Sequence, residues 1–341
     1  MRNRHRRVDS NPEVIQTLRE QGFRKKHVEG KARLAELILN GGVDLHLHST
    51  ASDGSDSPPA LLQAVMANGL RAYALTDHDG IAGLRTMHLV RDKLAKLGVD
   101  LPEFVPGVEV SANYQHEGED QEIHLLVYFP VGGVEELQPF LQEHRKNRDA
   151  RNRLMCERLQ ELGMNVTFED LQGEGGEVIG RPHVATIMIR KGYVNSHRDA
   201  FDLWLGEGRP AYVQRDLPSV ADVIATARDV GAVIVLAHPS LYAGWMDDMD
   251  ILRERFKTLQ LLGLDGVELF QNETDRADAS AIAEIACSLN MLPTVGSDYH
   301  GKNKTDIPML KGDQDMSDLL DPFEDILRDL IQEVREDPPA I

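Results

Sequence analysis

Apolar positions along the chain recur with two different periods, and the switch between them divides the sequence. From Asn11 to Asn40 the spacing is helical in two stretches, Val14, Ile15 and Leu18 in the first and Leu34, Leu37 and Ile38 in the second, and Gly41 and Gly42 end it. This predicts an amphipathic extension packed on the main domain or on a partner subunit, with no chemistry of its own. From Val43 onward, short apolar runs alternate with helical periods, the pattern of βαβ units in a parallel sheet or barrel. Strands are predicted over Val43–Leu47, Ala72–Thr76, Glu103–Val110, Glu122–Phe129, Ala232–Leu236, Gly266–Phe270 and Leu292–Gly296. Helices are predicted over Pro58–Asn68, with Ser57 as its cap, and over Ile81–Leu97, Val220–Val230 and Arg276–Ser288. Between Val134 and Arg215 the strand signal lapses, and helical patterns replace it over Val134–Leu162, His183–Lys191 and Arg198–Leu205. The expected organisation is a helical extension over 1–42, an α/β domain over 43–133 and 216–312, a mostly helical insertion over 134–215 that caps the substrate side, and an acidic helix and tail over 313–341 with its helix at Pro322–Arg335.

Several strands end in side chains that bind metals. Asp44-Leu45-His46-Leu47-His48 places His46 and His48 two apart, so both imidazoles project from one face of a strand. Asp53 follows on the loop. The next strand runs into Thr76-Asp77-His78-Asp79, the third carries Glu109, the fourth carries His124 between Ile123 and Leu125, Ala237-His238-Pro239 closes a buried strand, and Gly296-Ser297-Asp298-Tyr299-His300 closes another. Each position is expected at or just past the C-terminal end of its strand. A lone buried His is more often a hydrogen-bonded core residue than a ligand, and Asp77 and Asp79 read equally well as helix caps. For the set as a whole that bland reading fails, because so many polar groups converging at one end of a domain need cations to offset them. His5, His27, His88, His116, His144 and His197 fall on helical or loop stretches and are expected to be solvated.

Composition narrows the class. Hydrophobic residues make up 41% and charged residues 27% of 341 residues, as in an ordinary globular protein. No apolar run is long enough for a membrane helix, and the basic start Met1–Asp9 has no apolar stretch behind it, so a cytoplasmic location is expected. Cys156 and Cys287 are the only cysteines, which fits a reducing compartment. A net charge of −19 argues against a surface for long duplex nucleic acid. Small anionic substrates remain open to such a chain, provided that bound cations supply a local positive centre.

The motifs Asp-Leu-His-Leu-His-Ser-Thr-Ala-Ser-Asp-Gly at 44–54, Leu-Thr-Asp-His-Asp at 75–79, Pro-Gly-Val-Glu at 106–109, Ala-His-Pro at 237–239 and Gly-Ser-Asp-Tyr-His at 296–300 resemble those of the polymerase and histidinol phosphatase (PHP) family. The insertion, with Gly180-Arg181-Pro182-His183 and Gly208-Arg209-Pro210-Ala211-Tyr212-Val213, is most similar to that of the stand-alone members acting on nucleoside 3′,5′-bisphosphates and short RNA ends. The resemblance implies an α/β fold, a distorted (β/α)7 barrel, with three divalent transition-metal ions (Mn, Fe or Zn). By the same resemblance His46, His48 and Asp298 hold the first ion, Glu109 bridges it to a second held also by His124 and His238, and Asp53, His78 and His300 hold the third. A hydroxide bridging the first two ions would then attack phosphorus in line, with His183 or a metal-bound water as the acid for the leaving group.

Residues 140–215 carry 12 Lys or Arg against 11 Asp or Glu, while the rest of the chain carries −20, so the insertion is the part least hostile to phosphate. Arg145, Arg148, Arg181 and Arg209 are the substrate-contact candidates, Arg181 as the clamp on a second phosphate, with an ion pair to Glu174 or Glu177 as its structural alternative. The favoured activity is removal of the 3′-phosphate from a nucleoside 3′,5′-bisphosphate, extending to short 5′-phosphorylated RNA. Hydrolysis of a cyclic phosphate, a sugar phosphate or a C–N bond is the competing enzymatic reading. A non-catalytic nucleotide-binding module is the third, and the complete ligand set argues against it.

Overall fold

A computed structural model of the chain describes residues 12–336 apart from 117, 174 and 175. Met1–Asp9 and His5 lie outside the described residues. Seven strands, β1 (Val43–Asp44), β2 (Ala72–Leu75), β3 (Glu103–His116), β4 (Glu119–Tyr128), β5 (Val233–Leu236), β6 (Gly266–Phe270) and β7 (Leu292–Val295), lie side by side in chain order. The ring closes where Leu45 N donates to Val295 O (3.0 Å) and Asp298 N to His46 O (3.0 Å), which joins β7 to the continuation of β1. Asp44 pins this seam: its carboxylate accepts from the backbone of Ser297 (2.9 Å) and Leu310 (3.0 Å), and burial pushes its pKa up to about 6. The domain is thus the expected α/β barrel, but its sheet is mixed. β3 and β4 form a long antiparallel hairpin and β4 is antiparallel to β5, while all other pairings are parallel.

The helices are α1 (Pro12–Asn40), α2 (Pro58–Ala67), α3 (Ala82–Lys96), α4 (Gln138–Glu161), α5 (Phe168–Gln172), α6 (Arg181–Arg190), α7 (His197–Ala200), α8 (Val220–Asp229), α9 (Met249–Leu262), α10 (Arg276–Ser288), α11 (Ser317–Leu320) and α12 (Glu324–Glu336). Ser57 occupies the N-cap of α2, but its side chain makes no capping bond. The two helical stretches predicted at the start are one continuous helix, α1. Its residues Leu34, Ala35, Leu37 and Ile38 share a hydrophobic cluster with the barrel strands and with Leu319, Phe323 and Leu327 near the C-terminus. Arg33 pairs with Glu103 at the start of β3, and Gly30 packs at Val233 at the start of β5, so α1 covers the barrel end where those parallel strands begin. The insertion has a second cluster, built around Met155, Leu159, Phe168, Val184, Ile187, Met188 and Leu205. No described helix is long and apolar enough to cross a membrane.

His27 and His144 depart from the expected solvation. His27, on α1, is buried with Nε2 at 2.8 Å from Asp265 Oδ1, and His144, on α4, is buried with its ring 4.5 Å from that of Phe140. Both helices turn these faces inward, which helical position alone does not reveal. His116 belongs to β3 and stacks near Tyr114, and His197 Nε2 lies 3.0 Å from Thr186 Oγ1. His88 is exposed.

Candidate metal centre and cleft

Apolar alternation carries each parallel strand through the barrel wall, and the first polar residue beyond it emerges at the mouth. His46 and His48 follow β1, His78 follows β2, His238 follows β5, and Asp298 and His300 follow β7. Glu109 and His124 do not fit the expected position past a strand end. β3 continues to His116 and β4 descends antiparallel, so both lie within the hairpin at the level of the mouth, with Ser111 opposite His124.

Glu109 is the hub. Its Oε2 lies 3.1 Å from His46 Nε2, 3.0 Å from His48 Nε2 and 3.2 Å from His78 Nδ1, and its Oε1 lies 2.7 Å from His124 Nδ1 and 3.0 Å from His238 Nε2. Asp298 Oδ1 is 3.3 Å from His48 Nε2 and 3.4 Å from His46 Nε2. Asp53 Oδ1 is 3.2 Å from His300 Nε2, and Asp53 Oδ2 is 3.6 Å from His78 Nε2. All nine predicted ligands therefore meet at one place. Three sets within them bring their donor atoms within 4.8 Å of one another: His48, Asp53, His78 and His300; His46, His48, Glu109 and Asp298; and His78, Glu109 and His124.

The electrostatics of this cluster call for cations. Burial disfavours every charge in it, yet the Glu268, Glu109 and Asp298 carboxylates hold His46 well above the usual imidazole range. Burial likewise opposes charge on His48 and His124, and the carboxylates facing them outweigh it, raising them to about 9 and about 10. At His78 burial wins and the pKa falls to about 3. Glu109 is held well below the carboxylate range, against burial, by His78, His46 and His124. His46 Nε2, both ring nitrogens of His48, Asp53 Oδ1, His78 Nδ1, Glu109 Oε2 and His238 Nδ1 are buried without a hydrogen-bond partner. Orphaned imidazole nitrogens facing carboxylate oxygens are the donor set of a hydrolytic metal site, so the residues fit divalent transition metals.

The backbone around the cluster is held in unusual conformations. His238 (φ 28°), Asp298 (φ 56°) and Asp79 (φ 45°) are three of the four described non-glycine residues with positive φ, and each is held by surrounding bonds, as strained functional positions require. His238 N donates to Glu268 Oε2 (2.8 Å), Asp298 Oδ2 accepts from Lys304 (2.7 Å), and Asp79 accepts from Ser111 N (3.1 Å). Close approach matters at Gly296, where a Cβ would come within 2.7 Å of Glu268 Oε1 and collide with His46.

Asp77 and Asp79 are not helix caps. Asp77 accepts from Ser49 N, Ser49 Oγ and Ser52 Oγ, each at 2.7 Å, and so shapes the loop that presents Asp53. Asp79 pairs with Arg148 and with Arg215 (3.1 Å). The N-terminus of α3 is capped instead by Glu177 of the insertion, whose Oε2 accepts from Ile81 N (2.9 Å) and Ala82 N (2.7 Å). Glu268 is the functional residue that motif reading misses. Fully buried on β6, it accepts from His46 Nδ1 (3.0 Å) and fixes which nitrogen of that ring faces the centre. The signal was available, since Glu268 interrupts the apolar run Val267–Leu269 just as Glu109 interrupts its own.

Beside the cluster lies a cleft of about 1000 Å³, lined by His124, Glu122, Arg181, Tyr212 and Arg215 among others. Of the four nominated arginines, Arg181 alone lines it. Arg181 lies 3.6 Å from Glu122 and above the rings of Phe201 and Tyr212, and does not use Glu177, which pairs with Arg145. Glu174 is outside the described residues. Arg148 is buried on Asp79, and Arg209 is exposed on a turn. Arg215, outside the nominated set, lines the cleft, and Arg151, buried among Arg148, Arg181 and Arg215, has its pKa lowered to about 9 by burial and those charges. His183 Nδ1 accepts from Gly180 N (3.1 Å), capping α6.

The PHP domain profile matches residues 44–170. The chain is 30% identical over 262 residues to the phosphoribosyl 1,2-cyclic phosphate 1,2-diphosphodiesterase of Eggerthella lenta, spanning 76% of this chain and 94% of that protein. It is 27% identical over 260 residues to the 5′-3′ exoribonuclease of Haemophilus influenzae (75% and 89%), and 27% identical over 266 residues to the 3′,5′-nucleoside bisphosphate phosphatase of Chromobacterium violaceum (76% and 87%). Among solved structures, a candidate metal-dependent phosphoesterase from Bifidobacterium adolescentis superposes with a TM-score of 0.68 at 27% identity, over 83% of this chain and 96% of that one. With the mixed seven-stranded barrel and the ligand cluster at its mouth, these matches establish that the chain belongs to the PHP family and is a metal-dependent phosphoesterase.

Proposed function

We propose that the enzyme hydrolyses a phosphate ester of a small nucleotide, preferentially the 3′-phosphate of a nucleoside 3′,5′-bisphosphate, and that it also accepts short 5′-phosphorylated RNA. One observation carries this reading: the carboxylate–imidazole cluster shares His124 with a cleft that the Arg181 and Arg215 guanidinium groups also line. In this reading His46, His48 and Asp298, then Glu109 with His124 and His238, then Asp53, His78 and His300 hold three ions of Mn, Fe or Zn. Bound ions supply a nucleophile by acidifying water and offset charge on phosphoryl oxygens. The chain's own residues do the rest. Glu268 orients His46, Lys304 steadies Asp298, and Arg181 and Arg215 orient the substrate.

Hydrolysis of a cyclic phosphate is the second reading, supported by the 30% identity to the Eggerthella lenta enzyme. The free cysteines Cys156 and Cys287 support a cytoplasmic setting. The test is phosphate release from nucleoside 3′,5′-bisphosphates, nucleoside monophosphates, cyclic phosphates, sugar phosphates and short RNAs, with metal analysis of the same preparation. Bisphosphates should give the highest kcat/KM, and Arg181→Ala should lower it by about tenfold while a substrate lacking the 5′-phosphate is little affected. Equal losses on both substrates would place Arg181 in the fold alone, through its contact with Glu122.

A further inference from the structure

The wall of the cleft facing the insertion is made by the β3–β4 hairpin and by α9, and it contains a cation that no described carboxylate pairs. Arg255, on α9, has its guanidinium carbon 5.0 Å from the centroid of the Trp245 ring. Its Nε and Nη1 are buried and have no hydrogen-bond partner, and none of the described carboxylates forms an ion pair with it. Asp120 and Glu122, the lining carboxylates on the hairpin, are no exception. Tyr114, whose ring lies 5.5 Å from the same Trp245, has a buried hydroxyl that is likewise unpartnered. Both residues line the cleft. Two buried guanidinium nitrogens and a buried phenol hydroxyl without partners cost free energy unless something completes them, and together they offer N–H donors and one O–H donor to an oxyanion.

This corner is tied rigidly to the metal centre. The ring of His238 is 5.5 Å from that of Tyr242, and the ring of Tyr242 is 5.0 Å from that of Trp245. Tyr242 OH accepts from His124 N (2.7 Å), and Trp245 Nε1 donates to Gln121 Oε1 (2.7 Å). Trp245 is fully buried, so it offers no face for a base to stack on. What the corner can take is a phosphate.

We propose that Arg255 and Tyr114 form a binding subsite for an additional phosphodiester, so that the cleft accommodates an oligonucleotide whose internucleotide phosphate rests on α9 while its terminal phosphate faces Arg181 and Arg215. This rests on the phosphoesterase reading of the cleft and adds to it a subsite that a mononucleotide does not reach. Arg255 is a specificity residue here, acting on chain length and not on bond cleavage.

The test compares a nucleoside 3′,5′-bisphosphate with a 5′-phosphorylated RNA trinucleotide on the full-length, metal-loaded enzyme. A second readout is fluorescence anisotropy of a labelled trinucleotide with phosphorothioate linkages. Arg255→Met keeps an apolar stem over Trp245. It should weaken trinucleotide binding and kcat/KM by about tenfold, leaving the bisphosphate within about twofold. Arg255→Lys should recover part of the loss, since an ammonium keeps the charge without the fork. Tyr114→Phe, which removes only the hydroxyl, should cost about threefold on the trinucleotide. Equal losses on both substrates, or no loss on the trinucleotide in either the Met or the Phe variant, would overturn the subsite. If the wild type cleaves neither substrate, the phosphoesterase reading of this cleft fails. The anisotropy then judges Arg255 alone: affinity that falls in Arg255→Met sustains the subsite, and unchanged affinity overturns it.

Discussion

The barrel mouth and the helical insertion both bury charge, but they balance it differently. At the mouth, nine ligand-type side chains converge with several polar atoms left over, a deficit that cations fill. In the insertion, several arginines find carboxylates of the same chain, while Arg151 Nε and Arg215 Nε and Nη2 stay buried without a hydrogen-bond partner. Arg148 goes to Asp79, Arg145 to Glu177 and Arg181 to Glu122. Two of those contacts, with Asp79 and Glu122, cross from insertion to barrel, and Glu177 crosses the other way to cap α3. Arginines that look like a phosphate clamp by composition therefore serve in good part to dock the cap onto the barrel. What marks the mouth as a ligand site is the convergence of orphaned atoms from several His and carboxylate side chains at one point, and charge density alone does not mark it.

The largest effect should come from breaking the mouth. Asp298→Asn or Glu109→Gln removes a buried charge that several imidazoles face, and either should lower phosphate release by at least about a hundredfold together with bound metal. Metal content at wild-type level with unchanged turnover would show that the cluster is not the catalytic centre.

Next in size is the hinge between the two regions. Asp79→Asn leaves Arg148 and Arg215 buried without their shared carboxylate, which should cost about 3–5 kcal/mol of stability in denaturant unfolding. Asp79 is fully buried. Burial alone would raise its pKa, but Arg215 and Arg148 depress it well below the ordinary carboxylate value. A depressed acid contributes stability that is present above the unfolded pKa of about 3.9 and is lost as pH falls through the lower folded value. Below about pH 4 the stability of the wild type should thus converge on that of Asp79→Asn. Parallel pH profiles for the two proteins would exclude this ion-pair triad as the joint.

How far sequence reveals each region follows from the same contrast. Strand-end ligands are legible because His or Asp breaks a run such as Val233–Ala237, and period-two spacing puts His46 and His48 on one face. The mixed sheet is less legible, since residues 111–121 between the two apolar runs carry no turn signal strong enough to mark a tight hairpin. Sequence reading assigns no element between Leu236 and Gly266, where α9 forms on Leu252, Phe256 and Leu259. Those spacings of four and three are helical, but charged neighbours dilute them. Arginine pairing in the insertion is beyond local pattern altogether, because Asp79 and Arg215 are brought together across 136 positions.

A smaller effect is expected at Glu268, which touches the centre only through His46 and the backbone of His238. Glu268→Gln keeps the size and one acceptor but removes the charge, and metal affinity or turnover should fall by roughly ten- to a hundredfold, the range for residues that orient a metal ligand. Circular dichroism and melting temperature should be near wild type. A variant that loses structure instead would make Glu268 a packing residue of the barrel seam.

The smallest effect calibrates the others. His88 lies on α3 with its ring 5.2 Å from Phe104, edge to face, and its side chain is exposed. It belongs to neither balance, since it faces no orphaned atom of the mouth and joins no ion pair between barrel and insertion. The edge contact with Phe104 is partly solvated, so its loss should stay within about 0.5 kcal/mol, as for most surface substitutions. His88→Ala should therefore match the wild type in metal content and kcat/KM and shift the unfolding midpoint only slightly. A loss of turnover comparable to that of Asp298→Asn would mean that histidine content, and not convergence at the mouth, governs activity, and the contrast between the two regions would lose its basis.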